Sequence, residues 1–89
     1  MERADPQTVR QHVIDWLDDN VHFGDAATLI KSDEMSFLDN GILDSLGFVR
    51  LVLYLEDTFG IRIDRQQLTR DNFDSLGRIV RNVTERFAA

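Results

Sequence analysis

The chain has 89 residues, 43% of them hydrophobic, a formal net charge of −6 and no cysteine. That length supports one packed core and is too short for two domains or a large enclosed active site, so residues 1–89 read as a single domain. Without cysteine there can be no disulfide, no thiolate zinc site and no thiol of the chain's own for catalysis or thioester chemistry. The longest unbroken apolar run is Leu51 to Leu55, far below the ~20 residues of a membrane span, and Met1 to Asp5 lack the apolar centre of a signal peptide. The expectation is a soluble, cytoplasmic protein with no membrane insertion. Charge is unevenly placed: residues 33 to 57 hold six acids against Arg50 alone, whereas residues 58 to 89 hold four acids and six arginines. An acidic centre repels nucleic acid and suits partners that present a basic patch, although a merely solvated surface would carry the same charges.

Asp5 and Pro6 read as the cap and first residue of a helix, and Val9, Val13, Trp16, Leu17 and Val21 follow at helical spacing, which predicts helix over 6–21. From Phe23 to Asp44 the periodicity fades. Gly24 and Gly41 punctuate a long loop that only Leu29, Ile30, Phe37, Leu38, Ile42 and Leu43 could pin down. A loop of about twenty residues is uncommon in a small domain and is usually functional where it occurs. The segment 45–59 is apolar at Leu46, Phe48, Val49, Leu51, Val52, Leu53, Leu55 and Phe59, too broadly for a one-faced helix, so it reads as the central one. Gly60 stands where a left-handed cap is expected. Ile61 and Ile63 lead to a minor helical turn over 65–70. The last helix, 75–87, turns Leu76, Ile79, Val80, Val83 and Phe87 inward and Arg78, Arg81, Glu85 and Arg86 to water. The fold class is therefore all-α, a four-helix bundle of three main helices and one short one.

Where the long loop meets the central helix stands Asp44-Ser45-Leu46, preceded by Gly41-Ile42-Leu43. The stretch FLDNGILDSLGFVRLVLYLEDTFGIRI, Phe37 to Ile63, resembles the acyl carrier protein family, and most of all freestanding D-alanyl and other aminoacyl or acyl carriers served by a separate adenylating ligase. With the helix pattern, the likeness covers nearly the whole chain. It implies that Ser45 is the attachment point of 4'-phosphopantetheine, installed from coenzyme A by a phosphopantetheinyl transferase, with Asp44 and Leu46 as supporting motif residues. It further implies a monomeric carrier, not an enzyme, whose cargo is held as a thioester, loaded by an adenylating acyl or aminoacyl ligase and passed to downstream acyl-transferring enzymes. The residues make physical sense in these roles. A serine at a helix N-terminus offers its hydroxyl to solvent, and the free N–H groups and dipole there favour a phosphodiester. Asp44 can cap the helix, and Leu46 is expected to turn into the core and fix its start.

The tripeptide alone is not specific, since Asp74-Ser75-Leu76-Gly77 repeats Asp44-Ser45-Leu46-Gly47 residue for residue. Only the first copy has the long loop ahead of it and the acidic, broadly apolar setting; the second reads as an ordinary capped helix start. Asp39, Asp44, Glu56 and Asp57, with Asp33 and Glu34, are candidates for a docking face, and Phe48 for a partner contact. Val49 is expected in the core, on one face with Leu46 and Leu53. Gly47 and Arg50 stand where carriers of fatty-acid synthesis usually have acids, which argues against that partnership but not against arm attachment. Leu51, Leu55, Phe59, Leu68, Phe73 and Val80 read as core. His12 and His22 form no metal pattern, and an EF-hand register centred on Gly41 would put Leu38 and Gly47 at ligand positions, so no metal site is expected. The rival from another class is a non-covalent helical adaptor protein using its acidic face.

Overall fold

The structure is a computed structural model that describes residues 5–22 and 25–88. The expectations resting on Met1 to Ala4, on Phe23 and Gly24, and on the His22 side chain lie outside the described residues. Helix α1 spans Pro6–Leu17. It begins as the sequence predicts: the Asp5 carboxylate accepts the Thr8 N–H at 2.9 Å, and proline occupies the first helical position, where its missing N–H costs nothing. Its Val9, Val13 and Leu17 are fully buried. The helix then widens into a π-type turn, Asp18–His22. Asp18 accepts the Ala26 N–H at 2.8 Å, which ties the start of this turn to a short helix α2, Ala26–Leu29.

Helix α3, Ser45–Phe59, carries the second buried stripe: Phe48, Leu51, Val52, Leu55 and Phe59. Gly60 ends it in the left-handed conformation, φ 64°, which glycine adopts without a Cβ clash. A 3₁₀ turn, Arg65–Gln67, and helix α4, Arg70–Phe73, follow, so the single turn expected over 65–70 is two short pieces broken at Leu68 and Thr69. The polypeptide changes direction there because the Asn72 side chain donates to the Gln67 carbonyl at 2.9 Å, and the amides of Asn72 and Phe73 turn to the Thr69 carbonyl. Helix α5, Leu76–Ala88, closes the bundle by packing on α1 and α4.

One hydrophobic cluster joins the five α-helices, from Val9 and Leu17 through Phe37 and Phe59 to Phe73 and Val83. Burying side chains of this size contributes roughly 1.5–3 kcal/mol each. Two residues of α5 depart from expectation. Phe87 is exposed, because the helix has by then run past the partner surface of the core. Arg86 is half-buried, its guanidinium 5.9 Å from the Phe73 ring centre, so its stem packs where a solvated arginine was expected.

The loop between α2 and α3 is pinned more firmly than its composition suggests. Phe37, Ile42 and Leu43 are buried, and the Phe37 carbonyl accepts N–H bonds from Ile42 at 2.9 Å and Leu43 at 3.2 Å around Gly41, whose φ is 71°. Leu29 stays exposed, but Ile30 and Leu38 pack against the core. Polar bonds hold the same loop to the start of α5. Asp74 accepts the Ser36 hydroxyl at 2.5 Å and the Leu38 N–H at 2.9 Å on its carboxylate, and the Phe37 N–H at 3.0 Å on its carbonyl. The Asp33 carbonyl accepts the Gly77 N–H at 2.9 Å, while its carboxylate pairs with Arg10 of α1. These contacts fix the spot where the loop surfaces at Asp44.

Candidate functional site

Asp44 is extended, and its Oδ1 accepts the Gly47 N–H at 2.7 Å while its carbonyl accepts the Phe48 N–H at 2.9 Å. Two of the amides that open α3 are thereby satisfied. The N–H groups of Ser45 and Leu46 have no partner among the described residues and face the N-terminal end of the helix dipole. Ser45 is exposed as the first helical residue, on a base fixed by buried Ile42, Leu43 and Phe48 on either side of it. A hydroxyl so placed is reachable from water, yet its Cα is immobilised by the core.

The remaining site residues fall differently from the sequence reading. Leu46 is 59% exposed, and Val49 and Leu53 are exposed with it. The core instead takes Phe48, which is only 7% exposed and so is not available as the surface contact expected of it. The reason is geometric. Phe48, Leu51, Val52, Leu55 and Phe59 follow one another at three- and four-residue steps along the whole helix, whereas the stripe of Leu46, Val49 and Leu53 also contains Arg50 and Asp57. Only the first stripe can be buried without desolvating a charge. The interrupting Arg50 and Asp57 were the signal that could have settled this from the sequence.

The acidic residues also divide. Asp44 and Asp57 are exposed. Asp39 is exposed but ion-paired with Arg70 at 2.5 Å. The Glu56 carboxylate accepts the Ile63 N–H at 2.8 Å and holds the chain after the Gly60 cap, a structural duty that the sequence did not reveal. Asp33 is paired with Arg10, whose hydrogen bond holds the carboxylate below its ordinary range. No group of three or more His, Asp or Glu side chains among the described residues is placed to hold a metal. His12 lies instead between α1 and α3, its Nδ1 sharing a hydrogen bond with the Tyr54 hydroxyl at 2.8 Å and its ring edge-on to Phe59.

Beside Ser45 an open groove of about 370 Å³ runs between the end of α1 and the start of α3. Trp16, Asn20 and Val21 form one wall; Ile42, Leu46 and Arg50 lie on the other. Arg50 is exposed and makes no ion pair among the described residues.

Comparison with known proteins agrees with this geometry. Residues 7–83 match the family model described as a phosphopantetheine attachment site. The chain belongs to that family of carrier proteins. Among its relatives, the D-alanyl carrier protein of Streptococcus gordonii is 34% identical over 77 residues, 86% of this chain and 92% of the relative. That of Streptococcus pyogenes serotype M5 is 33% identical over 78 residues, 88% and 94% of the two chains. The protein is therefore a carrier that bears covalently attached 4'-phosphopantetheine. Its residues fit such a group: an exposed hydroxyl, two amides without a partner among the described residues for a phosphate, and open space alongside. The arm also supplies the thiol that a chain without cysteine lacks. The carrier role entails partner ligases and transferases in general. No helix among the described residues is long and apolar enough to cross a membrane.

Proposed function

We propose that Ser45 is the residue that carries the arm, and that the unit 1–89 works as a single carrier domain for acyl or aminoacyl groups. The observation that carries this reading is the contrast between the two serines of the repeated motif: Ser45 is exposed, whereas Ser75 is 1% exposed and its hydroxyl is occupied by the Arg78 N–H at 3.2 Å. Loading joins the Ser45 oxygen to the pantetheine phosphorus of coenzyme A. The diphosphate bond breaks, the adenosine bisphosphate half leaves, and the serine proton passes to the transferase. An adenylating ligase then joins the cargo carboxylate to the AMP part of ATP with release of pyrophosphate, and the arm's thiol gives up its proton and displaces AMP to form the thioester. A carrier of this kind is a substrate of its partner enzymes and performs none of these steps itself.

The relatives named as D-alanyl carriers favour an aminoacyl cargo. Docking is proposed on the exposed stripe of Leu46, Val49 and Leu53, flanked by Asp44 and Asp57, with fast exchange between partners. A cytoplasmic, monomeric carrier fits a cofactor drawn from coenzyme A. The non-covalent adaptor is not favoured, because it leaves the family match and the exposed serine without a use.

The test is incubation with coenzyme A and a broad-specificity phosphopantetheinyl transferase, read by intact mass. Wild type and Ser75→Ala gain one arm, and Ser45→Ala gains none. Loading of Ser45→Ala would overturn the assignment.

A further inference from the structure

Basic charge is carried almost wholly by one residue type. The chain has nine arginines and a single lysine, Lys31, although lysine is among the commonest residues of soluble domains. Some of these arginines need the shape of the guanidinium. Arg10 meets the Asp33 carboxylate with both terminal nitrogens, Arg70 reaches Ser36, Asp39 and Asp74 together, and Arg86 lies over the Phe73 ring. Arg50, Arg62, Arg65 and Arg81 have no such need: each is exposed and makes no ion pair among the described residues. Solubility alone would be served as well by lysine.

At Arg50 the choice has a chemical consequence. It stands five residues beyond Ser45 on α3, about 7.5 Å along the helix axis, and borders the same opening as Asp44 and Leu46. An arm anchored on Ser45 runs through about fourteen bonds from its first oxygen to its sulfur, ~15–17 Å when straight. Bent back on itself, such an arm brings its thioester over residue 50. A thioester acylates amines. The neutral ε-amine of a lysine attacks the carbonyl carbon, the C–S bond breaks and the pantetheine thiolate leaves. The amine gives its extra proton to water, and the cargo ends as an amide that no partner enzyme can take up. Tethering would place that amine at an effective concentration in the millimolar range. A guanidinium keeps its proton, offers no lone pair and makes no such attack.

We infer that Arg50 is a cation that the cargo cannot acylate: it sets positive charge near the base of the arm while denying the thioester an amine, so that the loaded carrier does not capture its own cargo. The inference rests on Ser45 as the attachment point, and concerns survival of the cargo after loading. The one lysine lies elsewhere. Lys31 comes two residues before Asp33, which is tied to Arg10 in the first half of α1 and to Gly77 of α5. The opening beside Ser45 lies at the other end of α1, along Trp16, Asn20 and Val21.

The test attaches an acetylated arm in one step, from acetyl-coenzyme A with a broad-specificity phosphopantetheinyl transferase, to wild type, Arg50→Lys and Ser45→Ala. Arg50→Lys keeps the charge at an exposed position, so the fold is not at stake. The protein is freed of coenzyme A and held at pH 9, where a lysine of ordinary pKa near 10.4 is about 4% neutral amine. Hydroxylamine then strips acetyl from thioesters and leaves amides, and intact mass and peptide mapping count and locate what remains. In Arg50→Lys, resistant acetyl should build up at position 50 about fivefold or more faster than at Lys31 of the same molecules, at a rate independent of protein concentration. Wild type should hold about fivefold less resistant acetyl in total. Equal amounts in wild type and Arg50→Lys, with the arm present on both, overturn the inference and leave the attachment reading standing. Acetylation of Lys31 as fast as of position 50 overturns it too, since distance would then give no protection. An arm gained by Ser45→Ala overturns the attachment reading, and the inference with it.

Discussion

The tetrapeptides 44–47 and 74–77 are identical, yet the protein uses them in opposite ways. At the first, Asp44 is the cap and Ser45 the first residue of α3; at the second, Ser75 is the cap and α5 begins at Leu76. A shift of one residue in the start of a helix turns every following side chain by about 100°. Leu46 consequently points to water at 59% exposure and Leu76 to the core at 1%. The difference originates in what each copy meets. The loop that leads into the first copy also covers the second: Asp74 is drawn inside by the Ser36 hydroxyl and the Phe37 and Leu38 N–H groups, whereas the Asp44 carboxylate meets the Gly47 N–H of its own helix and stays exposed. A motif thus acquires its chemistry from the contacts around it, and the same four letters make an attachment point or a structural joint.

Truncating the leucines tests this contrast most strongly. Leu76→Ala should cost about 2–5 kcal/mol in chemical denaturation, as expected for a buried leucine that leaves a cavity. Leu46→Ala should stay within about 0.5 kcal/mol. Equal losses would mean that the two helices start in the same frame. The aspartates come next. Asp44→Ala removes one cap bond and should cost about 1 kcal/mol. Asp74→Ala strands the Leu38 N–H and the Ser36 hydroxyl and unties the loop from α5, for about 2 kcal/mol or more. Comparable losses at the two positions would contradict the role of Asp74 as the loop's anchor.

Acid should expose the same asymmetry. Burial pushes the Asp74 carboxyl up, but the hydrogen bonds from Ser36, Leu38 and Arg70 outweigh it and hold the group below its ordinary value of 3.8. A carboxylate whose pKa is lower in the folded state stabilises the fold fully above the unfolded value. That contribution is lost as pH falls through the folded value. Stability should therefore decline as pH drops below about 4, and Asp74→Asn should be less stable at neutral pH but show a shallower decline. An unchanged acid limb in Asp74→Asn would assign the sensitivity elsewhere, first to Asp33, which its hydrogen bond with Arg10 likewise holds low.

Much of this architecture is written in local signals. Asp5-Pro6 and Gly60 mark helix ends through chemistry confined to a few residues, and the family match and the helical fold expected from Phe37 to Ile63 agree with the structure. The frame of α3 was harder to read. Its apolar residues fall into two stripes, and reading Leu46, Val49 and Leu53 as the inner one misplaced Phe48 as well. The polar ties are less legible still. Asp74 to Ser36 and Leu38, and Arg70 to Asp39, join residues more than thirty positions apart, and nothing in a single sequence says which distant carboxylate meets which donor. Glu56 and Asp39 looked like docking charges because their partners, a backbone amide and an arginine of α4, come into view only in the fold.

The glycines give the smallest contrast and the finest one. A Cβ at position 77 would stand 3.1 Å from the Asp33 carbonyl oxygen and 3.2 Å from its Cβ. Those atoms belong to a loop held by the Gly77 N–H itself and by Arg10, so they have little room to yield. A Cβ at position 47 would meet Leu43 Cδ2 at 3.1 Å and Asp44 Oδ1 at 3.2 Å, both side-chain atoms. Alanine in place of glycine inside a helix gains up to about 1 kcal/mol, which can offset that adjustment at position 47. Gly77→Ala should therefore lose about 1 kcal/mol net by thermal or chemical unfolding, the crowding exceeding the helical gain. Gly47→Ala should be neutral within about 0.5 kcal/mol and still accept the arm. If Gly77→Ala proved the more stable of the two, the contact between Asp33 and the start of α5 would be looser than the hydrogen bonds around it imply, and the second copy of the motif would lose its claim to be the rigid joint.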